Sequence, residues 1–441
     1  MTISNIIFEF AHVSAPILGG EGALAVGQAV LVIAHVLIAV GKARAADAVR
    51  PGGTLCILRA PVRTTARREQ HGEKPRQERT RQPSSRGHGL GGLGVFHGLA
   101  AQGAAVVALK YFGFGPAGLF QGQTTVFDYP YMRQSPSGDP NQFSGKPVES
   151  ALSHNDKYLW VPYYRREFDV GAGSPSAVAV IDTATNDIVR VLPTGPIPKY
   201  VAISPDDHWA AITHWGDNTV ALIDISSGDP AQFQYRDERL VVERILSQEG
   251  LTGSNRDAAC GFCLRGTTFT PDGQTLLVAR MGSGGIAGFD VASGTYLGTV
   301  DGEQPTPRHL VVSPDGQTLF FTSNRSGRVS RIPLATLVAA LRGADGGHVD
   351  LDFEDVYVGG GARTLEVSPD GRYLFAAVNG HSQIVVVDTA TFDVVSKVRT
   401  DSFTVGLAVS PDGRQVWTTS QGRSTRGGGN SVCVYQVTYG D

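Results

Sequence analysis

One unit recurs along this chain: an apolar run, a Ser/Thr-Pro-Asp-Gly turn, a second apolar run, a polar loop and a third run. The turns read Ser204-Pro205-Asp206-Asp207, Thr270-Pro271-Asp272-Gly273, Ser313-Pro314-Asp315-Gly316, Ser368-Pro369-Asp370-Gly371 and Ser410-Pro411-Asp412-Gly413. A degenerate copy, Ser153-His154-Asn155-Asp156, precedes them and makes six. Repetition at a period of roughly forty to sixty residues restricts the fold to a propeller or another repeat array. Within each turn Pro presets φ at the second position, Asp caps its own backbone and Gly takes the left-handed site. Asp207 and Asp156 stand where Gly is missing, and Asp is among the few residues that tolerate that conformation.

The runs between turns are short, rich in Val, Ile, Leu, Phe and Tyr, and bounded by Gly, Asn and Asp, which marks strands. In the second copy they cover residues 200–204, 209–214 and 220–224. A fourth run follows in several copies, as at 188–192 and 394–398. The class is therefore all-β, a propeller of four-stranded blades that must stack around an axis to bury both faces of each sheet. Residues 333–342 depart from the pattern. Leu334, Leu337, Val338 and Leu341 behind a Pro predict a helix hung on the fourth blade. The last copy stops after its third strand, residues 431–435, and that edge needs a cover. Residues 124–129 are expected to supply the outer strand and close the ring.

The stretches Ala177-Val178-Ala179-Val180-Ile181-Asp182-Thr183-Ala184-Thr185-Asn186 and Ile384-Val385-Val386-Val387-Asp388-Thr389-Ala390-Thr391, with the Ser-Pro-Asp-Gly turns, resemble the YVTN-type β-propeller repeat proteins. Relatives of that family include bacterial surface and periplasmic repeat proteins and lactonase-like seven-bladed propellers. The resemblance implies a propeller, an extracytoplasmic home and seven blades where six copies are legible. It implies little about function, because propellers host many unrelated activities.

Composition divides the 441-residue chain. Residues 1–120 carry 13 Lys/Arg and 6 Asp/Glu, and the remainder carries 25 and 35. That acidic surplus argues against general nucleic-acid binding, whose non-specific affinity comes from neutralising phosphates. Residues 23–40 are apolar except for Gln28 and His35, and Ala43-Arg44-Ala45-Ala46 follows like a cleavage site. Yet the first Lys or Arg is Lys42, so the basic n-region of a signal peptide is missing. As a membrane helix the run is just long enough, and the basic charges after it would hold the downstream side in the cytoplasm. Residues 59–89, rich in Arg, Gln, Gly and Pro, are expected to be poorly structured. Two readings of this extension stand side by side: an anchor with a basic tail, or the product of an upstream start or another reading frame. The propeller is placed at 121–441.

Cys260-Gly261-Phe262-Cys263 lies before the third inner strand. Leu264 stands where a c-type haem site needs His, no second Cys-x-x-Cys completes a zinc site, and a strand follows instead of the helix of a thioredoxin-like motif. A local disulfide between Cys260 and Cys263 is expected, which suits a periplasmic or extracellular protein. Cys433 alternates with Val432 and Val434 as a packed thiol. No metal or other cofactor is called for.

Aligning the copies on the turn Ser/Thr exposes a further regularity. Five positions earlier stand Lys199, Arg265, Arg308 and Arg363, with Val148 and Val405 in the first and last copies. That position opens the innermost strand at the channel mouth. Ten or eleven positions after the turn, the loop between the second and third strands reaches the same face. It carries Tyr163, Tyr164 and Arg165, then His214, Trp215 and Asp217, then Arg280, Asn324 with Arg325, and Asn379 with His381. Like charges converging on a channel repel. A bound anion relieves this, and Arg offers a fork suited to carboxylate or phosphate. The opposing reading pairs these cations with acids such as Asp217, Asp257 and Glu366, or lays their stems over apolar surface. His309 is expected to point away from the channel or into blade packing as a satisfied structural histidine, and His154 and His208 to be solvated on the opposite face. His348 lies among Asp345, Asp350 and Asp352 without EF-hand spacing.

Two functions compete. The leading expectation is a monomeric, non-catalytic, extracytoplasmic propeller that binds an anionic small molecule or a protein partner. Its site would be Lys199, Arg265, Arg308, Arg363, His214, Arg280, Arg325 and His381. The alternative, suggested by the lactonase-like resemblance, is a hydrolase working in the channel, with His214 or His381 as base and Arg265 or Arg308 holding the carboxylate or oxyanion. A calcium-dependent version would draw on Asp217, Asn324, Asn379 and Glu366. The binding protein leads because no pair of residues announces a nucleophile and its base.

Overall fold

The computed structural model describes residues 6–7, 54–58, 146–165, 175–185, 188–246, 258–422 and 431–439. Among them lie six blade sheets of four or five strands, whose inner three strands run antiparallel from the channel outward, and a two-stranded pairing of Ile6–Ile7 with Thr438–Tyr439. The first blade comprises Lys146–Pro147 with Ala151–Ser153, then Tyr158–Arg165, Pro175–Asp182 and Ile188–Pro196. The inner strands of the other five are Pro198–Ile203, Leu264–Phe269, Pro307–Val312, Ala362–Val367 and Thr404–Val409.

The turns take the backbone that their residues dictate. Gly273 has φ of 69°, and Asp207 and Asp156, at 54° and 65°, occupy the same left-handed site. The Ser/Thr adds a function of its own. Ser204 Oγ donates to Asp206 Oδ1 at 2.5 Å and accepts the Trp209 N–H at 2.8 Å, so one hydroxyl ties the turn carboxylate to the start of the next strand. Ser368 and Ser410 repeat both bonds.

Successive side chains point to opposite faces of a strand, and the central strands are buried along their length, as in Tyr373–Val378, so every blade packs on two faces. Five core clusters each join two successive blades, from the first and second to the fifth and sixth. A sixth cluster, with Leu159, Val161, Ala177 and Ile188, belongs to the first blade alone, on its face away from the second. The helix Leu334–Gly343 leaves the fourth blade as its spacing predicts. It buries Leu334, Leu337 and Leu341 against the third and fourth blades together. His348–Asp350 then runs parallel beside Tyr296–Asp301 on the outer edge of the third blade.

The last blade is completed differently from expectation. Thr54–Leu58 pairs in parallel with Ser431–Gln436, whose other side is taken by Gln415–Ser420. Residues 124–129 lie outside the described residues, and both edges of that strand are filled by other segments. Residues 23–40 and 59–89 also lie outside. No helix among the described residues is long and apolar enough to cross a membrane. Cys260 and Cys263 are disulfide-bonded, and Cys433 is a buried thiol in the sixth blade.

Candidate active site

Each inner strand after the first carries the same irregularity at its channel-mouth end. Pairing with the second strand slips between Pro198 and Tyr200, Leu264 and Thr267, Pro307 and His309, Ala362 and Leu365, and Thr404 and Gly406. The skipped residues include Lys199, Arg265, Arg308, Arg363 and Val405, the position five before the turn. A bulge of this kind leaves an extra residue unpaired and re-aims its neighbours. The carbonyls it releases bind the blades together: Thr213 Oγ1 donates to the Arg265 carbonyl, Thr322 Oγ1 to that of Arg363, and Thr364 Oγ1 to that of Val405.

Below the bulges lies a cavity of about 60 Å³, lined by Glu149, Ser150, Tyr200, His309, Thr364, Glu366, Gly406, Leu407, Ala408, Trp417 and Thr419. Glu149, Tyr200, His309, Thr364 and Gly406 share one register, four before the turn, and Glu366 and Ala408 stand two before it. Of these residues the sequence singled out only Glu366, as a counter-acid or calcium ligand, and His309, as a residue directed away from the channel. One further step along the same alignment would have shown this ring. His309 is satisfied at both ring nitrogens, as a structural histidine would be, but the bulge at Arg308 turns it into the cavity lining and not away from the channel.

The protonation states follow from hydrogen bonds. The Leu365 N–H donates to His309 Nδ1 at 3.2 Å, so a neutral His309 carries its proton on Nε2. That nitrogen lies 2.5 Å from the Tyr200 hydroxyl and donates to it, leaving the phenolic proton for another acceptor. Burial, helped by the charges of Arg308 and Arg265 and opposed by Glu149, brings His309 down to about 4. Burial first, then Glu149 and Glu366, keep the Tyr200 phenol well above its ordinary range. Burial, and secondarily the Glu149 charge, pushes the Glu366 carboxyl up to about 8. Glu149 is held 3.5 Å from the Arg265 guanidinium. The cavity thus holds an ion-paired carboxylate beside a carboxylic acid that is protonated at neutrality, the separation that general acid–base chemistry needs.

The cations form the next layer outward. Arg265, Arg308 and Arg363 come within electrostatic range of one another, and burial together with the other two holds Arg308 well below its usual range. Arg308 Nη1 lies 3.5 Å from Met281 Sδ, a weak acceptor. Arg363 Nε donates to the Val405 carbonyl at 3.0 Å. Lys199 lies 5.0 Å above the Trp215 ring.

The other candidates do not join this centre. His214 is fully buried, with Nε2 accepting the Gly195 N–H at 3.0 Å and Nδ1 2.7 Å from Thr219 Oγ1. Thr219 Oγ1 donates a hydrogen bond to Asp217 Oδ1 at 2.7 Å, so the histidine is a satisfied core residue and not a base facing substrate. Arg325 and His381 are exposed on the rim. Asn324 Nδ2 donates to the Ala362 carbonyl, which makes it a blade-to-blade tie. His154, expected to be solvated, bonds to Ser153 and the Ile225 carbonyl and stacks on Phe233. His208 stacks on Trp209.

Arg280 reaches outward from the channel. It donates to Thr299 Oγ1 at 2.7 Å, pairs with Glu243 at 2.8 Å and covers the Phe262 ring. His348 completes that outer cluster, 2.6 Å from Asp301 and 2.9 Å from Glu243. The Asp301 hydrogen bond raises the His348 pKa against a smaller effect of burial. The charged form is therefore favoured on folding. Its stabilisation is complete below the ordinary histidine value and is lost as pH rises through the raised one. The ring is 44% exposed, so the effect is modest. His348→Gln is expected to flatten this part of the pH dependence in thermal melts between pH 6 and 8, by about 1–3 °C. A variant that tracks the wild type across that range would show that the latch carries no stability.

Residues 151–421, more than half of the chain, match the model of the family described as lactonase, 7-bladed β-propeller. No curated protein matches the chain. Among solved structures, hydrazine synthase of Kuenenia stuttgartiensis is similar at 17% identity over 68% of this chain and 77% of that one, with a TM-score of 0.47. A candidate 6-phosphogluconolactonase of Bacteroides uniformis is similar at 17% identity over 63% and 80%, also with a TM-score of 0.47.

Proposed function

This chain belongs to the lactonase, seven-bladed β-propeller family, and from that premise we propose that it hydrolyses a lactone in its central channel. The observation that carries this reading is the cavity shared by Glu149, Glu366, Tyr200 and His309, which supplies the acid and base that the cation ring alone lacked. Family and cavity together favour the hydrolase over the non-catalytic anion binder. The catalytic roles move from His214 and His381 to the two carboxyl groups.

Glu149 takes a proton from a water whose oxygen attacks the lactone carbonyl carbon. The carbonyl oxygen becomes an oxyanion, which accepts the phenolic proton of Tyr200 in a hydrogen bond. When the tetrahedral intermediate collapses, the ring C–O bond breaks and the leaving oxygen takes the proton of Glu366. The product is a hydroxy acid whose new carboxylate suits the neighbouring arginines. Proton exchange with water returns Glu149 and Glu366 to their starting states. Lys199, Arg265, Arg308 and Arg363 serve in this scheme as the anion-stabilising layer. The Cys260–Cys263 bridge supports an oxidising, extracytoplasmic location.

The test is acid release in a pH-stat with δ-valerolactone and glucono-δ-lactone at pH 7. Acceleration above the buffer rate is expected. Hydrolysis no faster than in buffer, with carboxylate binding retained, would return the protein to the non-catalytic reading.

A further inference from the structure

In the second and fourth blades, the Thr nine positions after the turn donates across the seam, Thr213 to the Arg265 carbonyl and Thr322 to that of Arg363. Thr419 holds the same position in the sixth blade, and its hydroxyl has no partner among the described residues. Two residues earlier on the same face of that strand, Trp417 Nε1 is also buried without one. The two side chains are 2% and 4% exposed, and both line the central cavity. Leaving two such donors unsatisfied is costly in a folded core. A third feature keeps them open. Gly406 occupies the register that holds Glu149, Tyr200, His309 and Thr364 in other blades, and a Cβ there would lie 2.7 Å from Thr419 Oγ1.

From this we infer that Trp417 and Thr419 form a substrate-recognition subsite on the sixth blade, which takes neutral oxygen groups of the ligand beside the reacting ring. The indole N–H can only donate, so it requires an acceptor such as a hydroxyl or carbonyl oxygen. The Thr hydroxyl both donates and accepts, so a hydroxyl partner suits it best. The ring-opened product is thereby held at both ends, its new carboxylate toward the arginine layer and a hydroxyl against the sixth blade. Trp417 and Thr419 are specificity residues in this scheme and take no part in proton transfer. The inference rests on the channel being the ligand site proposed above.

Calorimetric titration with D-gluconate tests it, because that ion offers both a carboxylate and hydroxyls. Thr419→Val and Trp417→Phe, which remove only the donors, are each expected to weaken binding roughly three- to tenfold. Thr419→Ser should bind like the wild type, and Gly406→Ala should weaken binding by covering the hydroxyl. Thermal melts accompany each variant. Equal affinity in Thr419→Val and Trp417→Phe would overturn the subsite, as would a wild type that does not bind gluconate. A Thr419→Val protein that melts several degrees lower yet binds normally would also overturn it, since the hydroxyl would then be bonded within the seam. If the wild type opens no lactone but the Val and Ser variants still differ in affinity, the hydrolase reading fails alone. If lactones are opened and all affinities are equal, the subsite fails alone.

Discussion

Glu366→Gln should lower the rate of lactone opening by roughly 10²–10⁴-fold, the usual contribution of a positioned general acid. Gln preserves the shape of the side chain and its capacity to donate, but it has no proton to release to the leaving oxygen. The wild type should also lose activity as pH rises through about 8, where Glu366 ionises. That alkaline limb should vanish with the substitution. Rate profiles of both proteins between pH 5.5 and 9.5 decide the matter, and an unchanged limb in the variant would remove Glu366 from the reaction. Stability gives a second readout. The folded protein holds this proton more tightly than the unfolded chain. The stabilisation is therefore complete below the ordinary glutamate value and is lost as pH rises through about 8. Glu366→Gln removes that loss, so the variant should melt above the wild type at pH 9.

Arg308 and Arg265 should respond in opposite ways to removal, although both belong to one ring. Arg308 is buried beside Arg265 and Arg363, whose repulsion outweighs the attraction of Glu149, with Met281 Sδ as its hydrogen-bond acceptor. Arg308→Met should leave the melting temperature unchanged or raise it, because a strained charge is replaced by an apolar chain of similar length. Its affinity for carboxylates should fall by roughly 10- to 150-fold, the equivalent of one charge-assisted contact. Arg265 is the partner of Glu149 at 3.5 Å. Arg265→Met should cost stability, by about 3 kcal/mol, since it leaves a carboxylate without its counter-charge inside the channel. Urea denaturation and calorimetric titration of both variants separate these outcomes. Equal destabilisation in the two would mean that the ring is a structural network and not an anion site.

The repeat register made the architecture legible. Asp207 and Asp156 could be assigned the left-handed turn site because few side chains tolerate it, and both adopt it. The helix at Leu334–Gly343 could be read because its apolar spacing is local. The cation ring was visible for the same reason, since one offset from the turn carries a Lys or Arg in four of the six copies. The sequence set His348 beside Asp345, Asp350 and Asp352, its neighbours in the chain, whereas its partners Asp301 and Glu243 come from other elements.

What the chain determines by itself is whatever depends on neighbours in sequence: turn conformation, strand limits, blade count over the repeats and the offsets that align one blade with the next. The tertiary structure decided where side chains point and which distant ones meet. A bulge is a mismatch between two paired strands, so alternation counted from the turn placed His309 on the wrong face. Glu149 and Glu366 lie in the first and fifth blades, and neither sits in a motif. Only closing the blades around one axis brings them into a common cavity, where burial and mutual charge make one an acid. His214 was judged by its position in a loop register, whereas Gly195 and Thr219, which occupy its two nitrogens, approach it only after the sheet has formed.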